Sequence, residues 1–201
     1  MPKHPQNHLD PRQPLVVDTT KLPRQPGATR ALKRVVPAPA DLGVELISVP
    51  KGSDLELDLT LTSVSEGVYV SGNVRGSVTG ECGRCLDEIS EAFDVSVAEL
   101  FAYADSTTEE TTDEDEVGRM QGDLLDLEPA VRDAVVLTLP PNPVCRPDCP
   151  GLCPECGVHL DDVPADHSHD DVDPRWAALR NLSTEPPKVA SPQDPKKMIE
   201  E

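Results

Sequence analysis

The sequence has few aromatic residues and no long hydrophobic run. Its 201 residues include only 2 Phe, 2 Tyr and 1 Trp, so we expect a modest, aliphatic core. No stretch approaches the roughly 20 apolar residues that a membrane-spanning helix needs. The opening MPKHPQNHLDPRQ also lacks the apolar run of a signal peptide. These absences favour a cytoplasmic protein that does not interact with a membrane.

Basic residues are scarce relative to acidic ones. The chain carries 18 Lys and Arg against 37 Asp and Glu, a formal net charge of −19, which repels phosphate backbones over most of the surface. The exception is the proline-rich segment 1–40, which we interpret as an extended basic arm with a short strand at PLVVDTT. If the protein contacts RNA, the candidate residues are Arg24, Arg30, Lys33, Arg34 and, at a predicted hairpin tip, Arg84.

Strand periodicity dominates the middle of the chain. Apolar residues alternate with polar ones in two successive segments: Leu55, Leu57, Leu59 and Leu61, then Val68, Val70, Val74, Val78 and Cys82. After CGRC the alternation resumes with Phe93, Val95, Val97, Phe101 and Tyr103. This pattern predicts two antiparallel strands with Cys82 and Cys85 at the end of the hairpin that joins them.

The second half of the chain predicts one main helix between irregular segments. Residues 105–118 are dominated by carboxylates and predict a solvated loop. A helix is predicted from Asp126, as its cap, to Leu139, with a shorter one from Pro174 to Leu182 and a disordered tail at 183–201. The expected fold is therefore α+β: an antiparallel sheet with one main helix and a C-terminal, cysteine-rich zinc knuckle at residues 144–160.

Four of the six cysteines fall in one short motif, VCRPDCPGLCPECG. Cytoplasmic thiols are usually kept reduced, so clustered cysteines indicate metal ligands before disulfides. Four thiolates complete the tetrahedral shell of a structural zinc, and the interleaved Pro and Gly residues suit the tight turns of a knuckle. We therefore predict one structural Zn²⁺ per chain, bound by Cys145, Cys149, Cys153 and Cys156.

The spacing leaves other uses of the cysteines open. Cys82 and Cys85 could pair with Cys153 and Cys156 in a ribbon-type site, or could be a buried residue and a turn residue without a metal. The C-x3-C-x2-C spacing also occurs in radical enzymes with iron-sulfur clusters, but fewer than fifty residues follow it here, too few for their α/β barrel. A thiol redox enzyme using CGRC is a further alternative, although the βαβ units of thioredoxin are absent. Since no other catalytic constellation is found, we predict that the protein is not an enzyme.

Four segments in order carry a resemblance to a known family: VSGNVRGSVTGECGRCLDEI, GDLLDLEPAVRDAVVLTLPPNPVC, CPGLCPECGVHL and VDPRWAAL. Together they resemble the YceD family of large ribosomal RNA subunit accumulation proteins. The resemblance implies a family domain over residues 41–182 and a non-enzymatic factor that lets 23S ribosomal RNA accumulate during large-subunit biogenesis. It implies as partners 23S RNA or a large-subunit ribosomal protein, and no small-molecule substrate. Because the charge is strongly acidic, the alternatives are a protein-binding module for a basic ribosomal protein and an acidic mimic of nucleic acid.

Overall fold

The computed structural model describes residues 8–106, 117–169 and 175, and the chain divides into two units, residues 1–162 and 163–201. The first unit contains nine described strands and one α-helix. Their bounds are β1 Val16–Asp18, β2 Thr29–Pro37, β3 Leu42–Val44, β4 Ile47–Val49, β5 Asp54–Val64, β6 Gly67–Glu81, β7 Glu88–Ala102, β8 Gly118–Arg119, β9 Leu124–Asp126 and α1 Glu128–Thr138. Within the described residues, no helix is both long enough and apolar enough to cross a membrane.

The centre of the first unit is the long antiparallel hairpin β6–β7. It runs from the pair Gly67–Ala102 to the pair Glu81–Glu88, which places Cys82 and Cys85 in the loop at its tip. The valines of β6 that share the predicted period are buried, as are Val95, Val97 and Phe101 of β7. The hairpin predicted from the period of two on either side of CGRC is therefore present.

The other long strands extend the sheet on the far side of β6. Strand β5 pairs with β6 from Glu56 to Val64, and its four alternating leucines are buried. Strand β2 pairs with β5 along its whole length. Residues 29–37, which we interpreted as part of an extended arm, thus form an edge strand of the main sheet. The predicted short strand at PLVVDTT is β1, which pairs with β9 in a separate two-stranded sheet.

Helix α1 packs against the sheet through one apolar stripe. Val131 and Val135 are fully buried, whereas Leu137 on the opposite side is 86% exposed. Asp126 precedes the helix, and its Oδ1 accepts a hydrogen bond from the backbone N–H of Glu128 at 2.9 Å. The helix ends where Leu139 turns to an extended conformation ahead of two prolines, as the sequence predicts.

The predicted fold class is wrong. The first unit is mostly β-sheet with a single short helix in its described part, rather than α+β. The cysteine-rich region is also not a separate C-terminal knuckle, because part of it packs against cysteines from the middle of the chain. Residues 107–116 of the predicted acidic loop, and the predicted helix 174–182 apart from Arg175, lie outside the described residues, as does the tail at 183–201.

Candidate metal centre

Four thiols from two distant loops converge at the tip of the β6–β7 hairpin. Cys82 and Cys85 come from the hairpin loop, and Cys145 and Cys149 come from the loop that follows α1. Their Sγ atoms all lie within 4.8 Å of one another. We call this set the four-thiol cluster. The spacing predicts that either Cys145 and Cys149 or Cys82 and Cys85 join Cys153 and Cys156. The four-thiol cluster instead brings the first two pairs together, and Cys153 and Cys156 do not belong to it.

The distances inside the four-thiol cluster fit a metal and do not fit disulfides. The Cys82 and Cys149 Sγ atoms are 3.9 Å apart, and those of Cys85 and Cys145 are 3.5 Å apart. A disulfide bond is about 2.05 Å long. Tetrahedral zinc with Zn–S bonds of about 2.3 Å separates its sulfur atoms by about 3.8 Å. The cluster can therefore hold a metal ion after only small side-chain adjustments.

The hairpin loop is shaped by backbone hydrogen bonds around its first cysteine. The N–H of Cys82 donates to the carbonyl of Asp87 at 2.8 Å, and the N–H of Leu86 donates to the carbonyl of Cys82 at 2.9 Å. Leu86 adopts a left-handed conformation with φ of 64°. A non-glycine residue rarely adopts this conformation. The fold therefore maintains a tight loop that brings its two thiols together.

Hydrogen bonds fix the second loop to the first. The N–H of Gly83 donates to the carbonyl of Pro143 at 2.8 Å. Arg84 Nη1 donates to the carbonyl of Cys149 at 2.9 Å and to that of Pro147 at 3.4 Å. Arg84, which the sequence suggested as an RNA contact, therefore links the two loops that supply the cluster.

The four-thiol cluster is largely removed from solvent. Cys82, Cys85 and Cys149 are buried, and Cys145 is exposed. The apolar residues around the buried thiols are Ile89, Val144 and Leu152. Such a cover keeps water away from a bound metal and limits access to the thiols by reactants.

The environment of Cys82 favours its thiolate. Burial is the largest influence and raises the pKa of Cys82, but backbone hydrogen bonds from Cys145, Cys85 and Arg84 together outweigh it and bring the pKa to about 6. For Cys85 the backbone of Asp87 lowers the pKa, yet burial, the Cys82 thiol and the Asp87 carboxylate raise it well above its usual range. Thiols that share a site and ionise unequally are expected to release their remaining protons when a cation binds.

The remaining two cysteines lie in the first unit, outside the four-thiol cluster, and three histidines make contacts of their own. Cys153 is buried and Cys156 is exposed, and both lie in a second small hairpin of the first unit. In the described part of the second unit, the rings of His167 and His169 are nearly perpendicular, and their Nε2 atoms are 3.0 Å apart. His159, in the first unit, has its Nε2 atom 3.8 Å from Asp87 Oδ1.

Two of the predicted RNA-binding residues make exposed ion pairs. Arg24 Nη2 lies 3.1 Å from Asp123 Oδ1, and Arg24 Cζ lies 4.8 Å from the centre of the Tyr103 ring. Lys33 Nζ lies 3.0 Å from Asp58 Oδ2. The side chains of Arg24 and Lys33 are 58% and 72% exposed, so these ion pairs leave both cations accessible to solvent.

The other two cations of strand β2 are structural. Arg30 Nη1 donates to the carbonyl of Asp18 at 3.2 Å. Arg34 Nη2 donates to the carbonyls of Pro14 and Val16, the latter at 3.2 Å, and burial lowers its pKa. These side chains join β2 to the segment containing β1, so the structure does not gather the predicted basic residues into one free surface.

Comparison with known proteins identifies relatives over most of the chain. The family described as Large ribosomal RNA subunit accumulation protein YceD matches residues 70–183, which include most of β6, all of β7 and α1, and all six cysteines. No solved structure matches the chain.

Three relatives illustrate the range of similarity. Uncharacterized protein Rv2926c of Mycobacterium tuberculosis is 53% identical over 83% of this chain and 80% of its own length. Uncharacterized protein ML1660 of Mycobacterium leprae is 45% identical over 88% of this chain and 80% of its own. Uncharacterized protein YlbN of Bacillus subtilis is 26% identical over 59% of this chain and 67% of its own length.

Proposed function

Because the chain belongs to the family of large ribosomal RNA subunit accumulation protein YceD, we propose that it is a cytoplasmic, non-enzymatic factor that promotes the accumulation of 23S ribosomal RNA during large-subunit biogenesis. The observation that carries the proposal is the match over residues 70–183, more than half of the chain. The matched part includes most of the β6–β7 hairpin, α1 and both loops of the four-thiol cluster.

The four-thiol cluster acts in this proposal as a structural zinc site. Zn²⁺ prefers four tetrahedral ligands in structural sites, and Cys82, Cys85, Cys145 and Cys149 supply four thiolates at suitable spacing. Four protein ligands leave no position for a substrate. The bound ion would hold the tip of the β6–β7 hairpin against the loop after α1, both of which lie in the family-matched region.

Burial argues against the alternative of a thiol redox enzyme. A pKa of about 6 at Cys82 is low enough for a reactive thiolate. Reactive cysteines, however, are at least partly accessible to their substrates, and Cys82 is fully buried. A low pKa in a buried cluster of thiols is what a metal ligand requires.

The engaged state of the basic residues favours a protein partner over direct RNA binding. Arg30, Arg34 and Arg84 bond to backbone carbonyls within the fold, which leaves Arg24 and Lys33 as the accessible cations among the five predicted residues. Meanwhile the chain carries a net charge of −19. A basic protein of the large subunit is thus the partner that the charge distribution suits best.

Depletion of the protein in its host tests the proposed function. We expect the ratio of 23S to 16S ribosomal RNA to fall and to recover when the wild-type chain is supplied. A Leu137→Ala variant, altered at an exposed helix position, should restore the ratio equally well. A ratio that stays unchanged on depletion during rapid growth would refute the proposal.

A further inference from the structure

The loop at the tip of the β6–β7 hairpin has a distinctive construction. It spans six residues between the last strand pair, Glu81–Glu88. The first residue, Cys82, donates its N–H to the carbonyl of Asp87 and accepts from the N–H of Leu86, whose φ is 64°. This arrangement places the first and fourth residues of the loop, both cysteines, beside each other.

A second loop in the first unit repeats this construction. The isolated pair Leu152–His159 also encloses six residues. Its first residue, Cys153, donates its N–H to the carbonyl of Val158 at 2.8 Å and accepts from the N–H of Gly157 at 2.8 Å. Gly157 has φ of 71°, close to the value at the equivalent position of the first loop. The two loops therefore agree in length, hydrogen bonds and the position of the left-handed residue.

The thiols of the second loop are also placed alike. Cys153 and Cys156 are its first and fourth residues, and their Sγ atoms lie within 4.8 Å of each other. The loop rests on the first one, since the N–H of Leu152 donates to the carbonyl of Arg84 at 3.1 Å. The four-thiol cluster already has four sulfur ligands, so a fifth and sixth thiolate have no place in the same tetrahedral shell.

We propose that the loop of Cys153 and Cys156 holds a second thiophilic divalent cation, of the Zn²⁺ class, so that each chain binds two ions rather than one. The two thiolates form half of the shell. The chain has six cysteines, of which the four-thiol cluster takes four, so the other ligands of the second ion are nitrogen or oxygen atoms. The two sites thus differ in chemistry, with four sulfur ligands in one and two in the other. The count of two ions rests on the zinc site proposed above for the four-thiol cluster, but not on the ribosomal role.

Metal analysis of the full-length protein, purified in zinc-containing buffer and freed of loosely bound ions, tests the proposal. Wild-type protein should contain two zinc ions per chain. A Cys153→Ser, Cys156→Ser variant should retain one, and so should a Cys82→Ser, Cys85→Ser variant if it folds, which circular dichroism would establish. One zinc in both the wild type and the Cys153→Ser, Cys156→Ser variant would overturn the proposal.

Replacement of zinc by Co²⁺ gives a second readout that does not depend on the Cys82 variant. Thiolate-to-cobalt absorption grows with the number of sulfur ligands. We expect two binding steps in wild-type protein, one with a strong four-thiolate band and one about half as intense. The Cys153→Ser, Cys156→Ser variant should lose only the weaker step. A single step in wild-type protein, or loss of the stronger step in that variant, would contradict a separate second site.

Discussion

Gly151, two residues after Cys149, lies where the loop after α1 approaches the hairpin loop at Arg84. Its φ is +84°, and a Cβ built there would lie 2.9 Å from the carbonyl oxygen of Arg84. Gly151→Ala should therefore lower the free energy of unfolding by about 1–2 kcal/mol, because alanine is strained in a left-handed conformation, and by a further 1–3 kcal/mol or so, because the new Cβ overpacks against Arg84. Gly27→Ala is the matched control, because Gly27 has φ of +89° and nothing within 4 Å of the built Cβ.

Chemical denaturation of the two glycine variants measures the difference directly. We expect the free energy of unfolding to fall by at least about 1 kcal/mol more in Gly151→Ala than in Gly27→Ala. Equal losses would mean that the loops have room to separate, and that the close approach at Arg84 does not constrain the four-thiol cluster.

Neighbouring residues of β2 separate a structural cation from a surface one. Arg34 is partly buried and donates to two backbone carbonyls, whereas the Lys33 side chain is 72% exposed and pairs with an exposed carboxylate. Arg34→Ala should lower the free energy of unfolding by about 1.5–3 kcal/mol, because the carbonyls of Pro14 and Val16 lose a charged donor. Lys33→Ala should cost less than about 1 kcal/mol. Similar losses in thermal or chemical unfolding would refute the structural role of Arg34.

Helix α1 offers a matched pair at the scale of elements. Val135 is fully buried against the sheet, and Leu137, two residues on, is 86% exposed. Val135→Ala should destabilise the protein by about 2–3 kcal/mol through lost burial and a cavity, while Leu137→Ala should change the stability by less than about 0.5 kcal/mol. Unfolding curves in urea would check both values, and a small effect at Val135 would contradict the packing of α1 on the core.

The elements that the sequence predicts well are those with an uninterrupted period. The β6–β7 hairpin and α1 bury most of their apolar positions on one side, so the apolar residues repeat every two residues in the strands and every 3.6 residues in the helix. The sequence pattern does not reveal strand β2, because arginines alternate with apolar residues at its inward positions, which are Arg30, Leu32, Arg34 and Val36. The two arginines bond to backbone carbonyls instead of joining the core, which disguises the strand as a basic segment. The short strands β3, β4, β8 and β9 contain too few residues to show a period, so the sequence predicts less sheet than the structure contains.

The cysteine grouping shows a different limit. Sequence spacing favoured a site built from one short motif, since a short loop closes at low entropic cost. The structure instead brings Cys82 and Cys85 to Cys145 and Cys149 because β6, β7 and α1 carry the two loops to the same end of the sheet. That placement depends on tertiary packing. The sequence does contain one useful signal. The C-x2-C spacing of Cys82 and Cys85 at a predicted hairpin tip marks these two residues as candidate metal ligands, but it does not identify their partners.

Charge is the property that matters most at the scale of the whole molecule. If the acidic surface holds a basic protein, Asp54→Lys with Glu56→Lys, at exposed positions of β5, should weaken association with large-subunit precursors and reduce its salt dependence. Arg24→Glu with Lys33→Glu, the control pair of opposite sign, should leave association unchanged or strengthen it. Co-sedimentation with precursor particles at several salt concentrations measures both. Weaker association only in the Arg24 and Lys33 variant would instead support direct contact with RNA phosphates.

The central claim is that one metal ion joins the hairpin tip to the loop after α1 through four thiolates. X-ray absorption at the zinc edge of the Cys153→Ser, Cys156→Ser variant tests it most directly, because both groupings predicted from spacing need those two cysteines, whereas the four-thiol cluster does not. We expect one zinc per chain with four sulfur neighbours at about 2.3 Å. Absence of bound zinc in a folded variant, or a shell containing fewer than four sulfur atoms, would contradict the claim.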